Sequence, residues 1–175
     1  SRVLDLGCGT GVNARWYRAH GADRVAGIEI HEESAQVARS SFDLVLTGRI
    51  EDHLPALDED FDLIVCGDVL EHLEDPWAVV RRLREMVAPE GRLAISIPNI
   101  RYYRALLRIA FGEGFAYEER GTFDLTHLRF FTKENLRQMV EQAGWEPERW
   151  GGPERSPRAD LIRRVTRMRS DDWLL

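Results

Sequence analysis

Three glycines at alternate positions, Gly7, Gly9 and Gly11, follow an apolar run (Val3, Leu4, Leu6) and precede a helix expected from about Val12 to His20. A strand that gives way to a helix through such a loop must turn tightly. Glycine allows the turn and lets the backbone approach a ligand with no Cβ in the way. Gly21 is a C-terminal stop for the helix. The next strand, Arg24 to Ile30, carries Glu29 near its end, 18 residues after Gly11. A carboxylate at that place can accept both hydroxyls of a ribose. The dinucleotide fingerprint spaces its glycines as Gly-x-Gly-x-x-Gly and sets pyrophosphate on a helix N-terminus. Here the spacing differs and Asp5 stands ahead of the glycines. An acid there repels pyrophosphate and suits a ligand bearing an ammonium group.

The rest of the chain alternates in the same manner. A helix is expected over 32–40, strands over Phe42–Thr47 and Phe61–Cys66, and a helix opened by Asp75 as N-cap with Pro76 at its first position. Val79, Val80, Leu83, Met86 and Val87 give that helix one buried stripe. Pro89-Glu90-Gly91 then turns the chain into a fifth strand, Arg92 to Ile97. A helix over 101–111 is expected to pack Leu106, Leu107 and Ala110 inward. Thr132 can cap a helix carrying Leu136, Met139, Val140 and Ala143, and Trp145 to Trp150 is a sixth strand candidate. Apolar strands alternating with helices mean an α/β domain: a doubly wound, Rossmann-like, mainly parallel sheet with helices on both faces. Six strands are visible and a seventh is not evident.

Composition narrows the function classes. The 175 residues are 43% hydrophobic and 31% charged, with a formal charge of −6. That is a soluble globular composition with no membrane span, and its acidity makes duplex nucleic acid a poor partner. Cys8 and Cys66 are too few for a disulfide framework and fit a reducing cytoplasm. Residues 151–175 differ, with six arginines among them. They are expected as a surface helix beside a core at 1–150, with Leu161, Ile162, Val165 and Met168 at helical spacing.

Val-Leu-Asp-Leu-Gly-Cys-Gly-Thr-Gly at residues 3–11 resembles the first motif of class I S-adenosylmethionine-dependent methyltransferases. The resemblance extends over about residues 2–150. It implies that Gly7 and Gly9 approach the methionine part of the cofactor, with Cys8 and Gly11 in the same loop. Asp5 would support the loop and Glu29 hold the ribose. Relatives often carry Gly-Asp after the third strand, where the acid meets the adenine amine. This chain has Gly48-Arg49, so Ile50, Glu51 or Asp52 is expected to serve instead.

After the fourth strand comes Gly67-Asp68-Val69-Leu70-Glu71-His72, at the strand end where ligands of such sheets gather. Methyltransferases acting on base amino groups usually place Asn/Asp-Pro-Pro-aromatic there, and its absence speaks against DNA adenine or cytosine-N4 methylation. Asp68, Glu71 and His72 could hold magnesium or another divalent ion, which would lower the pKa of a coordinated hydroxyl. The run looks like the acid-x-x-Glu-His motif of ubiquinone-pathway O-methyltransferases and of RNA 3′-terminal 2′-O-methyltransferases. The RNA enzymes add a second histidine, for which His127 is the candidate; the plain alternative is that Glu71 and His72 only open a helix. Asp124-Leu125-Thr126-His127-Leu128-Arg129 resembles a segment of bacterial glycan and natural-product methyltransferases, in which His127 and Arg129 would face the pocket. An imidazole is a suitable acceptor for a hydroxyl proton, so His127 and His72 are the candidate bases.

The expected activity is O-methylation of a small molecule, sugar or glycan. An RNA 2′-O-methyltransferase and a non-catalytic cofactor-binding domain are the alternatives. The absence of a clear seventh strand and of a leading helix suggests a trimmed or fragmentary methyltransferase domain.

Overall fold

Strand β1 (Arg2–Leu6) lies between β2 (Arg24–Glu29) and β4 (Phe61–Gly67). Strands β3 (Leu44–Thr47) and β5 (Val87–Ser96) extend the sheet in the order β3-β2-β1-β4-β5, every pairing parallel. The order reverses at β1, so a crevice opens between the carboxyl ends of β1 and β4, where open α/β sheets hold their ligands. The computed structural model describes residues 1–112 and 114–151. They form two compact units, Ser1–Leu70 with Ala78–Ser96, and Glu71–Trp77 with Ile97 onward. The expected arginine-rich helix lies outside the described residues, beyond Gly151.

The first unit holds the sheet. Val3, Val25 and Val45 project to one face, where Ala14 and Tyr17 of α1 (Ala14–Ala19) and Ala35 and Ala38 of α2 (Glu32–Ala38) pack on them. Their neighbours along the strands, Leu4, Leu6, Ile28 and Ile64, point to the other face and are also fully buried. A sheet covered on both faces needs continuous apolar strands, which is why these runs do not alternate with polar residues. A short helix, α3 (Ile50–His53), follows β3, and α4 (Pro76–Glu85) starts at the expected proline. Strand β5 begins earlier than expected, at Val87. The Pro89–Gly91 turn is absorbed as an irregularity opposite Phe61 and Leu63, where a Cβ on Gly91 would stand 2.7 Å from the Phe61 carbonyl oxygen.

In the second unit α5 (Tyr103–Phe111) leads to an irregular segment and then α6 (Lys133–Gln142), whose first turn Thr132 caps by accepting from the Asn135 amide at 3.1 Å. Leu136, Met139 and Val140 are buried as their spacing requires. Two expectations are corrected. Residues 145–150 form no strand, because Pro147 offers no ladder donor and is flanked by Glu146 and Glu148. Among the described residues the sheet has five strands. Helix α5 buries Tyr103 and Ala105, while Leu107 and Ala110 are exposed. Arg108 explains its orientation: the guanidinium donates to the Ala116 carbonyl, pairs with Glu118 and lies over the Phe123 ring.

Candidate functional site

In the first unit the glycine loop is tied to β2 by its own backbone. The Gly7 and Cys8 amides both donate to the Ile28 carbonyl, at 2.8 and 3.2 Å. Gly7 and Gly9 take φ of +70° and +54°, the left-handed region that side chains other than glycine's rarely adopt. Their surroundings differ. A Cβ on Gly7 would stand 2.4 Å from Val69 Cγ2, whereas one on Gly9 would meet no protein atom within 4 Å. Gly7 is therefore needed for packing, and Gly9 leaves a space that a bound molecule can approach.

Two carboxylates are buried at this loop, Asp5 at 2% exposure and Glu29 at 6%. Glu29 Oε2 accepts from the Gly9 amide and Oε1 from the His31 amide, each at 2.9 Å. Asp5 Oδ2 accepts from the Tyr17 hydroxyl at 2.8 Å. Burial pushes the Asp5 carboxyl above the ordinary range, with Glu29 adding to the rise and the Tyr17 hydrogen bond opposing it. Burial, reinforced by both acids, pushes the Cys8 thiol up to about 12, so it remains protonated and non-nucleophilic. Among the described residues neither Asp5 nor Glu29 has a cationic partner. A cationic ligand would offset the cost of burying them. A positive ammonium or sulfonium beside an open glycine backbone fits S-adenosylmethionine, and a pyrophosphate does not.

The ends of the neighbouring strands complete this unit. After β3, Ile50 is buried and Glu51 pairs with Arg49 at 3.5 Å. Gly67, the last residue of β4, is open, and Asp68 after it takes φ of +52°, unusual for a residue with a side chain. The Asp68 conformation is held from β5: its amide donates to the Ser96 carbonyl at 3.0 Å, and its carboxylate accepts from the Ser96 hydroxyl at 2.9 Å. Backbone strain of this sort collects at functional sites.

The second unit brings Glu71, His72 and His127 together, each offering one donor atom within 4.8 Å of the others. Glu71 ends in a buried carboxylate, and His127 Nε2 lies 4.0 Å from its Oε1. The two imidazoles meet edge to face at 4.8 Å. The Glu71 carbonyl accepts from the Leu128 and Arg129 amides at 2.8 and 3.0 Å, which joins the two stretches of chain. Asp124 lies beneath this turn, and the hydroxyl and amide of Thr126 hold its carboxyl below the usual range. Arg129 donates to the Glu74 carbonyl at 2.6 Å and lines a cavity of about 320 Å³ with Trp77, Phe131, Asn135 and Gln138.

Of the expected site residues, Asp5, Gly7, Cys8, Gly9, Gly11 and Glu29 lie in one loop system, and Glu71, His72 and His127 in one cluster. Asp68 is held by Ser96 instead. Three residues that hydrogen-bond the expected site residues carry no role in the sequence reading: Tyr17, Ser96 and Thr126. Tyr17 had a signal, being the polar-tipped aromatic on the apolar face of α1. Ser96 and Thr126 had none, since short hydroxyl residues are common on strands and in loops.

A family model described as a methyltransferase domain matches residues 1–149. The ubiquinone biosynthesis O-methyltransferase of Neisseria meningitidis is 33% identical over 151 residues, covering 82% of this chain and 63% of that protein. Its namesake from Thiobacillus denitrificans is 32% identical over 171 residues, covering 93% and 72%. The chain thus spans less than two thirds of the Neisseria relative. The crystal structure of a SAM dependent methyltransferase from Archaeoglobus fulgidus shares the fold, with a TM-score of 0.66 at 20% identity over 94% of this chain and 75% of that one.

Proposed function

Because this chain belongs to the class I S-adenosylmethionine-dependent methyltransferases, we propose that it methylates a hydroxyl oxygen of a small molecule of the kind handled in ubiquinone biosynthesis. The observation that carries the cofactor half is the pair of buried carboxylates, with no cation among the described residues, beside the open backbone of Gly9. When bound, S-adenosylmethionine supplies the methyl group, which passes in line from its sulfonium to the acceptor oxygen.

The chain has three tasks: to hold the cofactor, to align the acceptor and to take the hydroxyl proton. Gly7, Gly9 and Gly11 with Cys8 would form the cradle, Asp5 and Glu29 would supply the negative charge, and Glu29 would also accept from the ribose. Ile50 and Glu51 would hold the adenine, with Gly67 and Asp68 at the end of β4 lining the same site. His127 or His72 receives the proton. The same histidines with Glu71 are a sound donor set for a divalent ion, which would acidify a coordinated hydroxyl. Two imidazoles and one carboxylate suit manganese, iron or zinc better than magnesium. One nitrogen cannot serve both purposes, so a chelator decides between them. Turnover that survives chelation identifies a base; turnover lost and restored by added metal identifies a ligand set. Free, buried Cys8 and Cys66 fit a cytoplasmic location, and no helix among the described residues is long and apolar enough to cross a membrane.

The test is incubation with methyl-labelled S-adenosylmethionine and fractionated small molecules, sugars and glycans included, followed by mass spectrometry. A labelled ether product is expected. Label appearing only in RNA would overturn the small-molecule reading in favour of a 2′-O-methyltransferase. Cofactor binding with no labelled product in any fraction would leave a cofactor-binding domain.

A further inference from the structure

His72 and His127 are held alike at Nδ1 and differently behind it. His127 Nδ1 lies 3.3 Å from the Thr122 carbonyl oxygen. His72 Nδ1 meets two oxygens of Thr126, the carbonyl at 3.2 Å and the hydroxyl at 3.1 Å. A carbonyl oxygen has no proton to give, so it selects the Nδ1–H form of the ring. The hydroxyl is ambiguous: it can accept from Nδ1–H or donate to a bare Nδ1 and select the opposite tautomer. Asp124 resolves this. Its Oδ1 accepts the Thr126 hydroxyl proton at 2.6 Å and is itself fixed by the Thr126 amide at 2.8 Å. With the proton committed to the carboxylate, the hydroxyl oxygen can only accept from His72.

We propose that Asp124 and Thr126 are positioning residues that hold His72 as the Nδ1–H tautomer and so leave Nε2 as its working atom. The assignment rests on the reading of His72 as a working imidazole, and it applies equally to a proton acceptor and to a metal ligand. An orienting group behind a histidine fixes which nitrogen carries the lone pair, and its loss is costly even when the ring stays in place.

The experiment labels the histidines with ¹⁵N in the full chain and reads their tautomers at alkaline pH, where imidazole is neutral. His72→Gln assigns the His72 signals, and His127 is the internal reference. In the unsubstituted protein His72 is expected as Nδ1–H. Asp124→Ala removes the oxygen that accepts the Thr126 hydroxyl proton and lets that hydroxyl turn toward the ring, so both His72 tautomers are expected while His127 is unchanged. With an acceptor in hand, kcat should fall about tenfold or more with the KM for cofactor unaltered. Thr126→Val should also weaken the preference and Thr126→Ser restore it, which separates positioning from misfolding. A His72 ring found as Nε2–H, or a tautomer ratio unmoved by Asp124→Ala and Thr126→Val, overturns the proposal. A tautomer shift that leaves kcat untouched supports the positioning and instead overturns the working role given to His72 above.

Discussion

The glycine loop and the histidine cluster treat buried negative charge in opposite ways. At the loop, Asp5 and Glu29 are buried together, their neighbours are amides and a tyrosine hydroxyl, and no cation among the described residues answers them. At the cluster, the buried Glu71 has an imidazole 4.0 Å away and a second one beside it. On the proposed reading the loop takes positive charge from a ligand and serves binding. The cluster can generate positive charge itself by taking up a proton, which suits it to proton transfer. On that reading binding and chemistry should be separable by mutation.

Removing the histidines tests that separation most severely. His127→Ala or His72→Ala should lower kcat by about 10²–10⁴-fold and leave the calorimetric Kd for S-adenosylmethionine within about twofold. A parallel loss of affinity would break the comparison. At the loop the effects should reverse. Glu29→Gln and Gly9→Ala should weaken cofactor binding by about tenfold to a hundredfold, since the first removes a charge and the second fills the open side. Gly9→Ala should still fold, at a cost of about 1–2 kcal/mol for a left-handed alanine. Gly7→Ala should unfold more readily, because its Cβ meets Val69.

A smaller effect sharpens the electrostatic side. A buried carboxyl whose pKa is raised binds its proton more tightly in the folded state than in the unfolded one. Asp5 therefore costs stability at neutral pH, and the cost fades as pH falls through its raised value toward 3.8. Asp5→Asn should raise the melting temperature at pH 7, with the gain shrinking at acid pH, while it weakens cofactor binding. A variant less stable than the parent at pH 7 would show that the Tyr17–Asp5 hydrogen bond outweighs the burial cost. The smallest effect concerns neither region: Thr132→Ala removes the cap of α6 and should cost about 1 kcal/mol in denaturant unfolding.

The loop was legible in the sequence because it is made of backbone. Glycine spacing, the preceding strand and an acid at the end of the next strand are all local signals, and β1, α1 and β2 follow from them. The cluster was legible only in its parts. His72 and His127 are 55 residues apart, and only the fold brings them edge to face. Two hydrophobic patterns misled. Trp145 and Trp150 resemble a strand's apolar ends, yet Pro147 lies between them; Leu107 and Ala110 have the spacing of a buried stripe, yet Arg108 decides which side of α5 packs.

On the proposed reading, the buried carboxylates of Asp5 and Glu29, with no cationic partner among the described residues, bind S-adenosylmethionine at the open glycine loop. Calorimetric titration of the cofactor into the chain and into its Glu29→Gln variant tests it directly. The account predicts saturable one-site binding with a Kd on the order of micromolar, weakened at least about tenfold in the variant. No binding at millimolar cofactor, or equal affinity in the two proteins, would contradict it.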